Sequence, residues 1–145
     1  MQVISLRVGE IYGPGNRMPQ ILRDIIKAAL AGERFAMPSG GDHRFHFVHV
    51  EDVAQAAIRA AEANSARSYV FNIAGDRQWT LHEAVALVRK YIPSACIDIG
   101  SGYWHLDRQG AWDLSSAERE LGYRPSRTFE DGIRDYIEWL RHHEY

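Results

Sequence analysis

Three histidines stand three residues apart, at His43, His46 and His49, and metal ligation is the first chemistry such spacing raises. The residues around them read as a strand, on which successive side chains alternate between faces. His46 then points away from the other two. His43 and His49 lie about 20 Å apart along an extended chain, whereas zinc ligands converge to about 2 Å from one point. No metal site is expected, and His49 is expected to pack. The single thiol, Cys96, follows Pro93-Ser94-Ala95 in an apolar stretch and reads as a small core-filling group. Trp79, Trp104, Trp112 and Trp139 are spread over four segments, and packing is the expected role of each.

The elements that would position these residues alternate between strand and helix. Val3–Val8 is short, apolar and branched, a buried strand of the parallel kind. It runs into the turn residues Tyr12-Gly13-Pro14-Gly15-Asn16. Pro19 opens a helix with Ile21, Leu22, Ile25, Ile26 and Ala29 at helical spacing, and Gly32 closes it. Phe35–Pro38 and Arg44–Val50 flank Ser39-Gly40-Gly41-Asp42 and predict a hairpin-like strand–turn–strand. Acids at Glu51 and Asp52 start an alanine-rich helix through about Ala63. Tyr69–Ile73 is a second buried strand.

Thr80 with Glu83 predicts a capping box for a helix to about Tyr91. Ile97–Ile99 is a weak strand, and residues 100–111 are irregular. Ser115 with Glu118 predicts another capping box, with Gly122 ending that helix. The last helix starts at Thr128 and carries a stripe of Ile133, Tyr136, Ile137 and Leu140. This alternation indicates an α/β class. Two parallel strands alone would leave apolar edges bare, so a cover is expected, either further sequence or another copy.

The totals exclude other classes. The 145 residues, 46% of them hydrophobic, suffice for one core. Seventeen basic against nineteen acidic residues give a net charge of −2 with no basic block, so no nucleic-acid footprint is present. No apolar run approaches the roughly 18–20 residues that cross a bilayer, and no membrane partner is expected. Residues 1–9 do not read as a signal peptide. One cysteine gives no disulfide framework, and a reducing cytoplasm is the simplest compartment.

Four segments, in order, carry a resemblance. They are Leu6-Arg7-Val8-Gly9-Glu10-Ile11-Tyr12-Gly13-Pro14-Gly15, Phe47-Val48-His49-Val50-Glu51-Asp52-Val53-Ala54, Tyr69-Val70-Phe71-Asn72-Ile73-Ala74-Gly75, and Asp113-Leu114-Ser115-Ser116-Ala117 through Leu121-Gly122-Tyr123-Arg124-Pro125, followed by Phe129-Glu130-Asp131-Gly132-Ile133 at the start of the last helix. Together they resemble the C-terminal half of the NAD-dependent epimerase/dehydratase family, the extended short-chain dehydrogenases. The resemblance implies the last strands of a Rossmann-type parallel sheet, an incomplete Rossmann domain, plus a small C-terminal substrate-binding lobe. The family's glycine fingerprint, which brings a helix N-terminus to the pyrophosphate, has no counterpart in this sequence. Nor does its Tyr-x-x-x-Lys base, since Arg23 and Ala86 precede the only lysines, Lys27 and Lys90, by four residues.

The resemblance therefore implies NAD or NADP in the parent enzyme, none bound by this chain alone, and no catalytic residue here. It places Gly9 and Ile11 on the nicotinamide side. It places Glu10, Met37, Arg44, Phe45 and Arg108 on the side of a sugar-type substrate. Glu10 stands where the family has Asn; its carboxylate would accept from hydroxyls and repel a diphosphate. Phe45 occupies the position of a diphosphate-clamping Arg, and Arg44, one residue earlier, is expected to face the other side of the strand. Arg108 is the nearest match to a second family Arg. The leading expectation is a substrate-binding part of a sugar epimerase or dehydratase. The alternatives are a stand-alone module that dimerises through its bare sheet edge, and a half enzyme completed by another polypeptide.

Overall fold

A computed structural model describes residues 3–64, 66–104 and 108–143. The order is β1 (Ser5–Val8), β2 (Glu10–Tyr12), α1 (Ile21–Ala31), β3 (Phe35–Met37), β4 (Arg44–Phe45), β5 (Phe47–His49), α2 (Val50–Glu62), β6 (Val70–Ile73), β7 (Trp79–Thr80), α3 (Leu81–Tyr91), β8 (Ile97–Ile99), α4 (Ser115–Leu121) and α5 (Phe129–His142). The α/β class holds. β1 pairs in parallel with β6, Leu6 opposite Phe71 and Val8 opposite Ile73. β2 pairs in parallel with β5, and β3 with β8, while β4 pairs antiparallel with β7.

The hairpin expected around residues 39–42 does not form. Its two arms pair instead with β8 and β7, about sixty and thirty-five residues onward. The short turn reads locally as a hairpin, but α1 packs on β3 and α3 on β7, and each arm pairs far along the chain. β1 is also less buried than a parallel central strand should be: Ser5 and Arg7 are exposed, and Val3 and Val70 are 63% and 51% exposed. Its apolar residues, Ile4, Leu6 and Val8, pack on one side only.

Strand periodicity splits the interior in two. Phe47 of β5 enters a cluster with Tyr12, Phe45, Phe129 and the apolar stripes of α1, α3 and α5. Its neighbour Val48 enters the other, with Phe71, Ile73, Ala56 of α2, and Ala117 and Leu121 of α4. The expected stripe of α5 is buried throughout. Trp139 lies beside it, its ring near Tyr136 and stacked on His143.

Helix ends follow the sequence in part. Thr80 and Glu83 close a full capping box, Glu83 N–H donating to Thr80 Oγ1 and Thr80 N–H to the Glu83 carboxylate. Gly32 and Gly122 cap α1 and α4 in left-handed conformation. The Ser115 capping box does not form; the cap position is Leu114, and Asp113 Oδ1 accepts the Ser115 N–H at 2.8 Å. Cys96 is exposed rather than core-filling. Its carbonyl accepts from Phe35 N–H at the start of the β3–β8 pair, and with Ile97 buried next to it, alternation leaves the thiol on the outer side. Among the described residues no helix is long and apolar enough to cross a membrane.

Candidate functional site

Gly9 separates β1 from β2, and His46 separates β4 from β5. At these two residues each strand changes partner, so they face one another at the corner between the sheets. Gly9 N–H donates to Ile73 O at 2.9 Å, and Glu10 N–H to His46 O at 2.8 Å. The His46 backbone passes so close to Gly9 Cα that a side chain there would collide with it. A glycine is required at position 9 for that close approach.

The corner opens into a concavity of about 350 Å³ lined by Gly9, Glu10, His43, Arg44, Phe45 and Trp112, among others. It lies beyond the carboxyl end of β1, where parallel α/β sheets place ligands. Burial raises the Glu10 carboxyl above the ordinary carboxylate range, the nearby Gln20 side chain offsetting part of this. His43 is 4% exposed. Burial lowers its basicity, and its Nδ1 has no hydrogen-bond partner within the protein.

Trp112 is held from several sides. Its ring stacks on His46 with centroids 4.6 Å apart and 26° between planes. His46 Nε2 donates to Gly110 O at 2.9 Å; the carbonyl only accepts, so the proton sits on Nε2. Gln78 Nε2 donates to Gln109 O, and Asn72 Nδ2 to Asp113 O at 3.1 Å. The Arg7 guanidinium approaches the indole to 5.8 Å. The segment at 109–113 is irregular in conformation yet fixed at both ends.

Four of the seven sequence candidates therefore meet here: Gly9, Glu10, Arg44 and Phe45. Arg44 is exposed and Phe45 is buried, as strand alternation requires. Phe45 stacks on Phe47 at 5.1 Å and meets the His43 ring at a tilt of 59°, 4.7 Å between centroids. Ile11 turns instead to a second concavity of about 600 Å³ that it shares with Glu10, Asn16 and Met18. Met37 is half-buried against the larger core and approaches Gly40. Arg108 lies over the Tyr103 ring, 3.8 Å from its centroid, outside the corner lining.

Sequence reasoning missed His43, His46 and Trp112 as site residues. The regular histidine spacing is visible in the sequence, but strand alternation there argues only against a metal and for packing of His49, and does not point to this corner. His49, as expected, packs: it is 3% exposed, meets Tyr12 edge-on at 5.4 Å, and its Nδ1 accepts Glu51 N–H to cap α2. Among the described residues no group of three or more His, Cys, Asp or Glu is arranged to hold a metal.

Comparison with known proteins adds to this geometry. The sequence profile described as the NAD dependent epimerase/dehydratase family matches residues 1–74. A dTDP-glucose 4,6-dehydratase of Streptomyces griseus is 27% identical over 99% of this chain and 44% of its own length. A dTDP-L-rhamnose 4-epimerase of Burkholderia thailandensis is 24% identical over 93% and 39%. The solved structure of MoeE5 in complex with UDP-glucose and NAD is similar at a TM-score of 0.85, with 28% identity, 97% of this chain and 47% of that one. UDP-glucuronic acid 4-epimerase from Bacillus cereus gives a TM-score of 0.86 at 22% identity. The chain thus spans less than half the length of these relatives, and its fold is that of the matching portion of Rossmann-type epimerases.

Proposed function

Because the chain belongs to the NAD dependent epimerase/dehydratase family, we propose that it is the substrate-binding part of an NAD(P)-dependent epimerase or dehydratase acting on a sugar. One observation carries this reading: Glu10, His43 with Arg44, and Trp112, from three separate segments, converge on one concavity at the carboxyl end of β1. In such enzymes a bound dinucleotide would supply reversible hydride transfer at a carbinol carbon. The residues here do not fit the dinucleotide itself. The space a Cβ would fill at Gly9 is taken up by the His46 backbone, and no glycine fingerprint or Tyr-x-x-x-Lys pair stands in the sequence. Holding the cofactor and moving the proton are assigned to a complementary half, in the same polypeptide or another. This chain orients the ring: Glu10 accepts from hydroxyls, and Trp112 offers an apolar face.

Calorimetry of the purified chain tests the division of labour. NAD is expected to bind no tighter than about millimolar, and a dissociation constant near micromolar, about 8 kcal/mol, would refute it. A second reading is a non-catalytic module that pairs through its sheet edge, favoured by the exposure of Val3, Tyr69 and Val70 at 63%, 65% and 51%. Sedimentation of the chain distinguishes the two: a concentration-independent dimer without sugar binding supports the module.

A further inference from the structure

Resting on the reading of the corner concavity as the sugar site, we propose that His82 is a positioning residue for its wall. With Asp42 it forms a clasp that closes when the ring takes up a proton and holds the Tyr103–Trp104 segment against His43 and Phe45. His82 is the second residue of α3 and reaches two loops at once. Its Nε2 lies 3.0 Å from Ile99 O; a carbonyl only accepts, so Nε2 carries the hydrogen. Its Nδ1 lies 3.4 Å from Asp42 Oδ1. In the neutral ring that nitrogen turns a lone pair towards a carboxylate. In the imidazolium it is a second N–H, and both nitrogens then face acceptors. The ring rests on Gly41 so closely that a Cβ there would collide with it, and His82 N–H donates to Gly41 O at 2.9 Å.

The clasp reaches the concavity through Asp42. Its Oδ2 accepts Gly102 N–H at 2.6 Å, and its own N–H donates to Gly102 O at 3.0 Å. The next residues are Tyr103, edge-on to His43 at 6.4 Å, and Trp104, 6.4 Å from Phe45. His43 and Phe45 line the concavity. The other charged groups near the ring are engaged elsewhere. Asp98, beside Ile99, pairs with Arg34 at 2.9 Å, and Glu83, next to His82, pairs with Arg77 at 2.9 Å. His43, next to Asp42, is buried against Phe45. The His82 and Asp42 side chains are 42% and 50% exposed, so their pairing shifts an equilibrium by at most about fivefold. The two loops are also joined by Gly41 N–H to Gly100 O at 2.9 Å. His82 therefore adjusts the wall and does not hold the fold.

The test follows the Gly102 amide and the Trp104 indole of the isotope-labelled full chain by NMR from about pH 8 to pH 5, where histidines change charge. Both signals are expected to move together with those of the His82 ring. His82→Gln keeps an N–H for Ile99 O and does not titrate. Asp42→Asn keeps an acceptor for Gly102 and loses the charge. In both variants the movement is expected to shrink to what His43, beside Tyr103, contributes. Equal movement in the native chain and His82→Gln overturns the clasp. UDP-glucose is then titrated at the two ends of the range. Relative to His82→Gln, the native chain is expected to gain about twofold to fivefold in affinity on the acid side. No such gain, with the NMR signals moving, overturns the positioning role and leaves the sugar-site reading standing. Failure of UDP-glucose to bind either protein refutes the sugar-site reading, and the NMR signals still decide the clasp. Amide dispersion checks that each variant is folded.

Discussion

The hydroxyl end of Tyr12 lies against Gly132, in the first turns of α5, so closely that a Cβ at residue 132 would run into the phenol. The contact locks the β2–β5 pair to the last helix, because Tyr12 also meets Phe47 and Phe129 edge-on at 6.1 and 5.3 Å. Glycine costs a helix about 1 kcal/mol relative to alanine, so its place here reflects packing. Gly132→Ala is expected to lose about 1–3 kcal/mol by overpacking, measured by urea unfolding. In a Tyr12→Phe background the loss should shrink without vanishing, since the hydroxyl is removed while ring carbons at 2.8 and 2.9 Å from that Cβ remain. Equal losses in both backgrounds would show that the two residues are not coupled.

Asp52 is 2% exposed and holds the loop before α5. Its Oδ1 accepts from Ser126 N–H at 2.9 Å and Ser126 Oγ at 2.7 Å. Asp52→Ala strands these donors and is expected to cost about 1–3 kcal/mol. Asp52→Asn keeps an acceptor and should cost less. Thermal unfolding of the two variants checks the order, and a neutral Asp52→Ala would refute the assignment.

Acid should weaken the fold through two histidines. Burial holds both His43 and His49 below the ordinary value of 6.5. The unfolded chain therefore takes up the proton first as pH falls. Their contribution is fully present above that value and is lost progressively as pH drops towards the folded values. For His49 the proton also destroys the acceptor that caps α2. Urea midpoints are expected to decline below about pH 6.5, with a shallower decline in His49→Gln. A midpoint flat from pH 7 to 5 would contradict this.

Glu10 should exchange stability for binding. Burial raises its carboxyl above the ordinary 4.5, so the ionised form is disfavoured in the folded state. Its favourable contribution is present below the unfolded value and lost as pH rises through the folded one. Glu10→Gln is expected to raise the urea midpoint at pH 7, with the gain closing below about pH 4.5. The same variant should bind glucose about threefold more weakly. Retained affinity would mean that the carboxylate does not touch the sugar.

Much of the fold was legible because its signals are local. The stripe of α5, the Thr80–Glu83 box and the glycine caps at residues 32 and 122 each depend on residues within one or two turns. The Ser115 box does not form because Asp113, two residues before, takes the Ser115 N–H that the Glu118 carboxylate would accept. The hairpin failed for a different reason. A glycine turn fixes where the chain reverses, not which strand it meets, and the partners of β3 and β4 come from far along the sequence.

The candidate site divides in the same way. Sequence by itself determined the α/β class, the strand alternation that buries Phe45 and exposes Arg44, and the position of Gly9-Glu10 at the end of β1. Only the tertiary structure decided that His43 and Trp112, nearly seventy residues apart, share one concavity with Glu10, and that Ile11, Met37 and Arg108 fall outside its lining. The physical reason lies at Gly9 and His46, where two strands change partners against one another's backbone. Such a corner arises from long-range pairing and close packing; the glycine at position 9 permits the close approach, but nothing near it in the sequence names His46 as the partner.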